Sequence, residues 1–170
     1  LDLWKQNAPI GCRDRGTMRS FQGVGISAYF SGCATLTLKP RAQQNEQPYV
    51  LVADPFYYAS KGAYERHQVK RLLGKNFPLQ IVQVENTDLS RPQKPMDVRF
   101  RETQSLLEKI SNAQFVLTSR IHIALPAIAM GTNVVFVHAG YDRKAADIDR
   151  FDGILDLFHV ISGDNFFASS

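Results

Sequence analysis

Two uninterrupted apolar runs constrain this chain more than any other feature: Val50-Leu51-Val52 and Val134-Val135-Phe136-Val137. A strand with one wet face alternates apolar and polar residues, whereas a strand covered on both faces does not. Such runs belong in a parallel sheet with helices on either side. Further short apolar stretches suit strands at Ile26–Phe30, Tyr49–Ala53, Leu79–Glu85, Phe115–Thr118, Val134–Val137 and Phe158–Ile161. Helical patterns lie between them: Thr17–Gln22 with Thr17 as N-cap, Tyr57–Leu73 interrupted at Gly62, Asp97–Asn112, and Ile121–Met130 stopping at Gly131. Strand alternating with helix predicts an α/β fold with a doubly wound, mainly parallel sheet, whose ligand edge is the carboxyl end of the strands.

The polar stretches Lys39–Pro48 and Asn86–Lys94 read as surface loops, and neither is long enough to establish a domain boundary. At 170 residues the chain fits one domain, and residues 1–170 are expected to form a single unit. A 44% hydrophobic and 21% charged composition excludes global disorder. Nothing approaches the length of a membrane-spanning helix. Cys12 and Cys33 cannot build a disulfide framework and read as buried free thiols. The net charge of +4 favours anionic ligands, but its scatter offers no nucleic-acid footprint. The first residue is Leu1 and no signal-peptide pattern follows, so the chain reads as a fragment or a processed product.

The segment Phe115 to Gly131 carries the chemistry. A buried strand runs into Thr118 and Ser119, and a helix begins near Arg120, with Ser119 suited to be its N-cap. The start of such a helix presents backbone N–H groups and the positive dipole end, a ready anion site. Arg120 and His122 sit there although the dipole disfavours both cations. A bound anion would offset that cost. The remainder of the helix is apolar nearly all round and should be buried, with Pro126 kinking it or releasing a carbonyl.

Two loops are expected at the same edge. Arg13 either adds a cation for a phosphate or carboxylate, or serves a local turn with Asp14. Ser31, Gly32 and Thr35 either offer donors to a ligand, or form a plain tight turn. Several weak matches carry nothing. Gly23-Val24-Gly25-Ile26-Ser27-Ala28 imitates a dinucleotide fingerprint but precedes a strand rather than a helix. Asp147-Ile148-Asp149 imitates a metal-binding DxD. His67, His138 and His159 lack metal-ligand spacing, so no metal site is expected.

The stretches Pro9–Asp14, Gly25–Leu38 and Leu117–Gly131, with Arg150–Leu157, resemble the polysaccharide pyruvyl transferase family. The Ser-Arg-x-His segment is the most specific part, with Ile121 at a position often occupied by Leu in the family. The resemblance implies a transferase that moves pyruvate from phosphoenolpyruvate onto a sugar of a cell-surface polysaccharide, forming a ketal and releasing phosphate. It implies a GT-B-like enzyme of two Rossmann-like domains, of which this chain is the C-terminal, donor-binding half. His122 and Arg120 would be catalytic, and Arg13, Ser119, Ser31 and Gly32 would bind substrate. The implied partners are phosphoenolpyruvate as donor substrate, with no other cofactor, and a glycan or lipid-linked saccharide acceptor. A bacterial member would be cytoplasmic and a eukaryotic one could lie in the Golgi. Two alternatives stand beside this: a GT-B donor domain for a nucleotide sugar, which the lack of an acidic residue in Ile121–Met130 disfavours, and a non-catalytic glycan- or partner-binding domain.

Overall fold

The computed structural model describes residues 1–40, 47–54, 69, 73, 78–84, 93–138 and 151–162. Five strands form an all-parallel sheet: β3 (Tyr49–Ala53), β4 (Gln80–Val84), β5 (Phe115–Thr118), β6 (Asn133–His138) and β7 (His159–Ser162), in the order β4-β3-β5-β6-β7. Two earlier strands, β1 (Ile10–Cys12) and β2 (Ala28–Phe30), pair in parallel as a separate two-stranded sheet, joined by helix α2 (Arg15–Gly23). A short helix α1 (Asp2–Gln6) precedes them. Helix α3 (Met96–Asn112) connects β4 to β5, and α4 (Ile121–Ala129) connects β5 to β6.

Alternate residues of the continuous runs point to opposite faces of the sheet. Leu51, Ala53, Val116, Val134 and Phe136 meet Ile110 of α3 and Ile123, Ala124 and Ala127 of α4. Val50, Val52, Leu117 and Val137 meet Val69 and Leu73, which lie in helical backbone on the other face. The sheet is therefore wound on both sides, as its lack of alternation implies. The remainder of the expected Tyr57–Leu73 helix lies outside the described residues, as does Asp147–Asp149.

Tertiary hydrogen bonds lock the layers. Tyr49 donates its hydroxyl to the Lys109 carbonyl at 2.7 Å, and buried Thr132 donates to the Ile110 carbonyl at 3.0 Å. Helix α4 ends as Gly131 predicts. That residue has φ +90°, its N–H reaches Ile128 O, and the Thr132 N–H reaches Ala127 O. This is the paired bonding of a Schellman stop, which needs the left-handed region that glycine enters freely.

Two expected caps are corrected. Helix α2 is capped by Asp14, whose carboxylate accepts from the Thr17 N–H at 2.7 Å, so Thr17 is inside the helix. A carboxylate there also meets the positive helix end, which a threonine hydroxyl cannot match. Helix α4 starts from Arg120 without a side-chain cap, because the Ser119 hydroxyl is engaged elsewhere.

The small sheet is fastened to the far end of the chain. Arg15 reaches Asp156 at 2.8 Å, Arg19 reaches Asp152 at 2.6 Å, and the Arg15 N–H donates to the Asp152 carbonyl at 3.0 Å. Gly153 makes this approach possible. Its φ is +81°, and an added Cβ would lie 3.1 Å from Arg15 Cγ and 3.2 Å from Phe30 Cε2. Replacing Gly153 with alanine should destabilise the fold by about 1–3 kcal/mol, from left-handed strain plus displacement of Arg15. Urea unfolding of the two proteins checks this, and a variant as stable as the parent would refute it.

Candidate functional site

A doubly wound sheet opens a crevice where successive connections depart to opposite sides. Here that point lies between β3 and β5. From β3 the chain goes outward to β4; from β5 it goes the other way to β6. The carboxyl ends of these two neighbours carry Asp54 and the Thr118-Ser119-Arg120 segment.

The backbone there is held by side chains. Thr118 donates its hydroxyl to the Ala53 carbonyl and accepts from the Arg120 N–H at 2.9 Å. Ser119 is fully buried, and both its N–H (3.1 Å) and its hydroxyl (2.8 Å) donate to the Asp54 carbonyl. These bonds tie the ends of β3 and β5 together beyond the last ladder pair. They fix where the chain leaves the sheet to enter α4.

Arg120 emerges from this junction with a side chain 25% exposed, and its Nε lies 3.4 Å from the Asp54 carboxylate, which is only 6% exposed. His122 follows in the first turn of α4 and is exposed. Beyond it Ile123 to Ala127 are buried. Pro126 lies inside the helix and has no N–H to give the carbonyl one turn back, that of His122. The start of α4 thus brings together a guanidinium, an exposed imidazole and the positive end of a helix, with the Asp54 carboxylate against the guanidinium.

The remaining sequence candidates lie on the separate two-stranded sheet, on a rim at the carboxyl ends of β1 and β2. Arg13 is half-buried and pairs with Asp14 at 3.4 Å. Ser31 donates to the Cys12 and Gly32 carbonyls, each at 3.2 Å. Gly32 takes φ +72°, and a Cβ on it would lie 2.9 Å from Leu36 Cδ1. It leads into a 3-10 turn, Ala34–Thr37, that packs against α4 and so links this rim to the helix bearing His122.

Asp54 is the member that sequence reasoning missed. Its signal was present: an acidic residue directly after the buried run Val50–Ala53, at the edge where Ser119 was already placed. Cys12 is free and buried, as expected, whereas Cys33 is free but only half-buried; burial first, and then the Asp14 carboxylate, push the Cys12 thiol above the ordinary value. Cys12 stays protonated near neutral pH and is a poor nucleophile. Burial pushes His138, at the end of β6 against the Phe151 ring, below its ordinary value. Among the described residues no helix is long and apolar enough to cross a membrane.

Neither the curated proteins nor the solved structures include a match. The family model described as polysaccharide pyruvyl transferase matches residues 3–138, from α1 through the end of β6. That span takes in Arg13, Ser31, Gly32, Asp54, Ser119, Arg120 and His122, and stops short of Arg150–Leu157. It covers well over half the chain, which therefore belongs to the polysaccharide pyruvyl transferase family, a family of transferase enzymes.

Proposed function

We propose that this chain binds phosphoenolpyruvate in the β3–β5 crevice and donates its pyruvyl group to a sugar, forming a ketal. The observation that carries the reading is Arg120 at the start of α4, with His122 in the first turn of the same helix. Phosphoenolpyruvate bears a phosphate and a carboxylate, and a guanidinium at a helix N-terminus suits either group. The methylene carbon of the enol gains a proton and becomes a methyl group. One sugar hydroxyl adds to the neighbouring carbon and loses its proton. A second sugar hydroxyl then displaces inorganic phosphate and closes the ketal ring.

His122 moves a proton in this scheme, as the acid for the methylene carbon or the base for a hydroxyl. Arg120 holds the anionic donor and stabilises charge that develops on the departing phosphate. Arg13, on the second rim, supplies a further cation, and Ser31 and Gly32 line that rim. The fully buried Ser119 acts from below by fixing the junction. In this reading the chain is the donor-binding, C-terminal half of a two-domain, GT-B-like enzyme, and the acceptor glycan is held largely by the other half.

The test is turnover by the full-length enzyme with phosphoenolpyruvate and a glycan acceptor, following the new ketal methyl signal and phosphate release together. His122→Ala should lower kcat about 100-fold and leave donor affinity within about threefold, the pattern of a lost proton carrier. Undiminished turnover in the variant would remove His122 from the chemistry. Turnover of a nucleotide sugar in place of phosphoenolpyruvate would replace the reading with glycosyl transfer.

A further inference from the structure

An anion site with a carboxylate in its floor needs an explanation. Asp54 lies against Arg120, where its charge opposes any anionic ligand that Arg120 would hold. It also adopts φ +40°, a region that residues other than glycine enter uncommonly and at some cost. That backbone persists because its carbonyl is held by two donors of Ser119, N–H and hydroxyl. The turn delivers the Asp54 carboxylate from the end of β3 to Nε, the inner nitrogen of the Arg120 fork. An arginine side chain has several rotatable bonds and loses much freedom when it is fixed. An ion pair on the Nε side restricts where the guanidinium can stand before a ligand arrives.

We propose that Asp54 is the positioning residue of Arg120, holding its guanidinium ready across the β3–β5 crevice. This rests on the reading of Arg120 as the donor anchor. Asp54 does not touch the donor; it acts through Arg120. The strained turn is the device that brings the carboxylate to the guanidinium.

The sign of one effect separates this from simple charge competition. If Asp54 only opposed the ligand, neutralising it would tighten donor binding. If it positions Arg120, neutralising it loosens donor binding. Asp54→Asn keeps the shape and tolerates the left-handed backbone. Asp54→Gly keeps the turn and removes the side chain. In the full-length enzyme both variants should raise KM for phosphoenolpyruvate about tenfold with kcat within about threefold. In an Arg120→Lys background, which lacks Nε, Asp54→Asn should add less than about twofold. A lowered KM, or an equal effect in both backgrounds, overturns the proposal.

A readout without donor keeps it separable from the functional reading. The Arg120 Nε–H proton, followed by NMR, should exchange with water at least about tenfold faster in Asp54→Asn. Unchanged exchange overturns the positioning role whatever the donor is. Wild-type protein that ignores phosphoenolpyruvate but shows the faster exchange in the variant overturns the donor assignment and leaves the role of Asp54 standing.

Discussion

Arg120→Ala should abolish saturable binding of phosphoenolpyruvate in calorimetric titration and lower kcat/KM about 1000-fold. Two effects act together. The variant loses the guanidinium that would hold a phosphate or carboxylate in a partly water-excluded crevice, where charge is screened less than at the surface. It also leaves the Asp54 carboxylate, 6% exposed, without the cation 3.4 Å away. The cation proposed to attract the donor is then gone, while a carboxylate that opposes an anion remains. Arg120→Lys restores the charge but not the planar fork, so it should recover only part of the loss. A UDP-sugar titrated in parallel distinguishes donors: preference for it would move the site to glycosyl transfer. Wild-type affinity for phosphoenolpyruvate in Arg120→Ala would show that the donor binds elsewhere.

The largest loss of stability is expected at Phe136. It sits in β6, is 0% exposed, and stacks on Phe158 with centroids 5.4 Å apart and against Phe151 at 6.3 Å. It also packs on the sheet face covered by α3 and α4. Phe136→Ala removes a whole ring from a face that cannot collapse without moving both helices. The expected loss is about 3–5 kcal/mol, transfer and cavity terms together. Domains of this kind have about 5–15 kcal/mol in total, so the variant approaches the unfolding threshold. Leu157→Ala, at a residue 41% exposed, should shift stability by less than about 0.5 kcal/mol. Denaturant melts of the three proteins decide it, and equal midpoints for Phe136→Ala and the parent would contradict the packing described.

The sheet was readable because both-face burial writes a local pattern. Tyr49–Ala53 and Phe115–Thr118 form strands over those residues, and the other expected strands agree within two residues at either end. Ile10–Cys12 was not recognisable as a strand: three residues carry no period, and it is a strand only because Ala28–Phe30 lies beside it. The separation of β1 and β2 from the main sheet is likewise a matter of pairing, which no single segment encodes. The caps failed for a related reason. Ser119 has the right chemistry for an N-cap, but the Asp54 carbonyl competes for its hydroxyl from a distant part of the chain.

The site divides in the same way. Arg120 and His122 were legible because one segment holds strand end, cations and helix start. Asp54 was not, because its relation to Arg120 exists only once β3 and β5 are neighbours.

Helix α4 gives the crevice a mechanical character. Five of its nine residues are buried in succession immediately after His122, and its two ends are bonded to strand neighbours and to a left-handed stop. Tilting or unwinding such a helix would open the hydrophobic interior and cost much of the stability that its burial contributes. Arg120 and His122 therefore stand on a fixed jaw. In the proposed reading, any clamping on a substrate, on the microsecond-to-millisecond scale of hinge motions, falls to whatever faces this jaw, while the jaw sets the reference position of the reacting atoms.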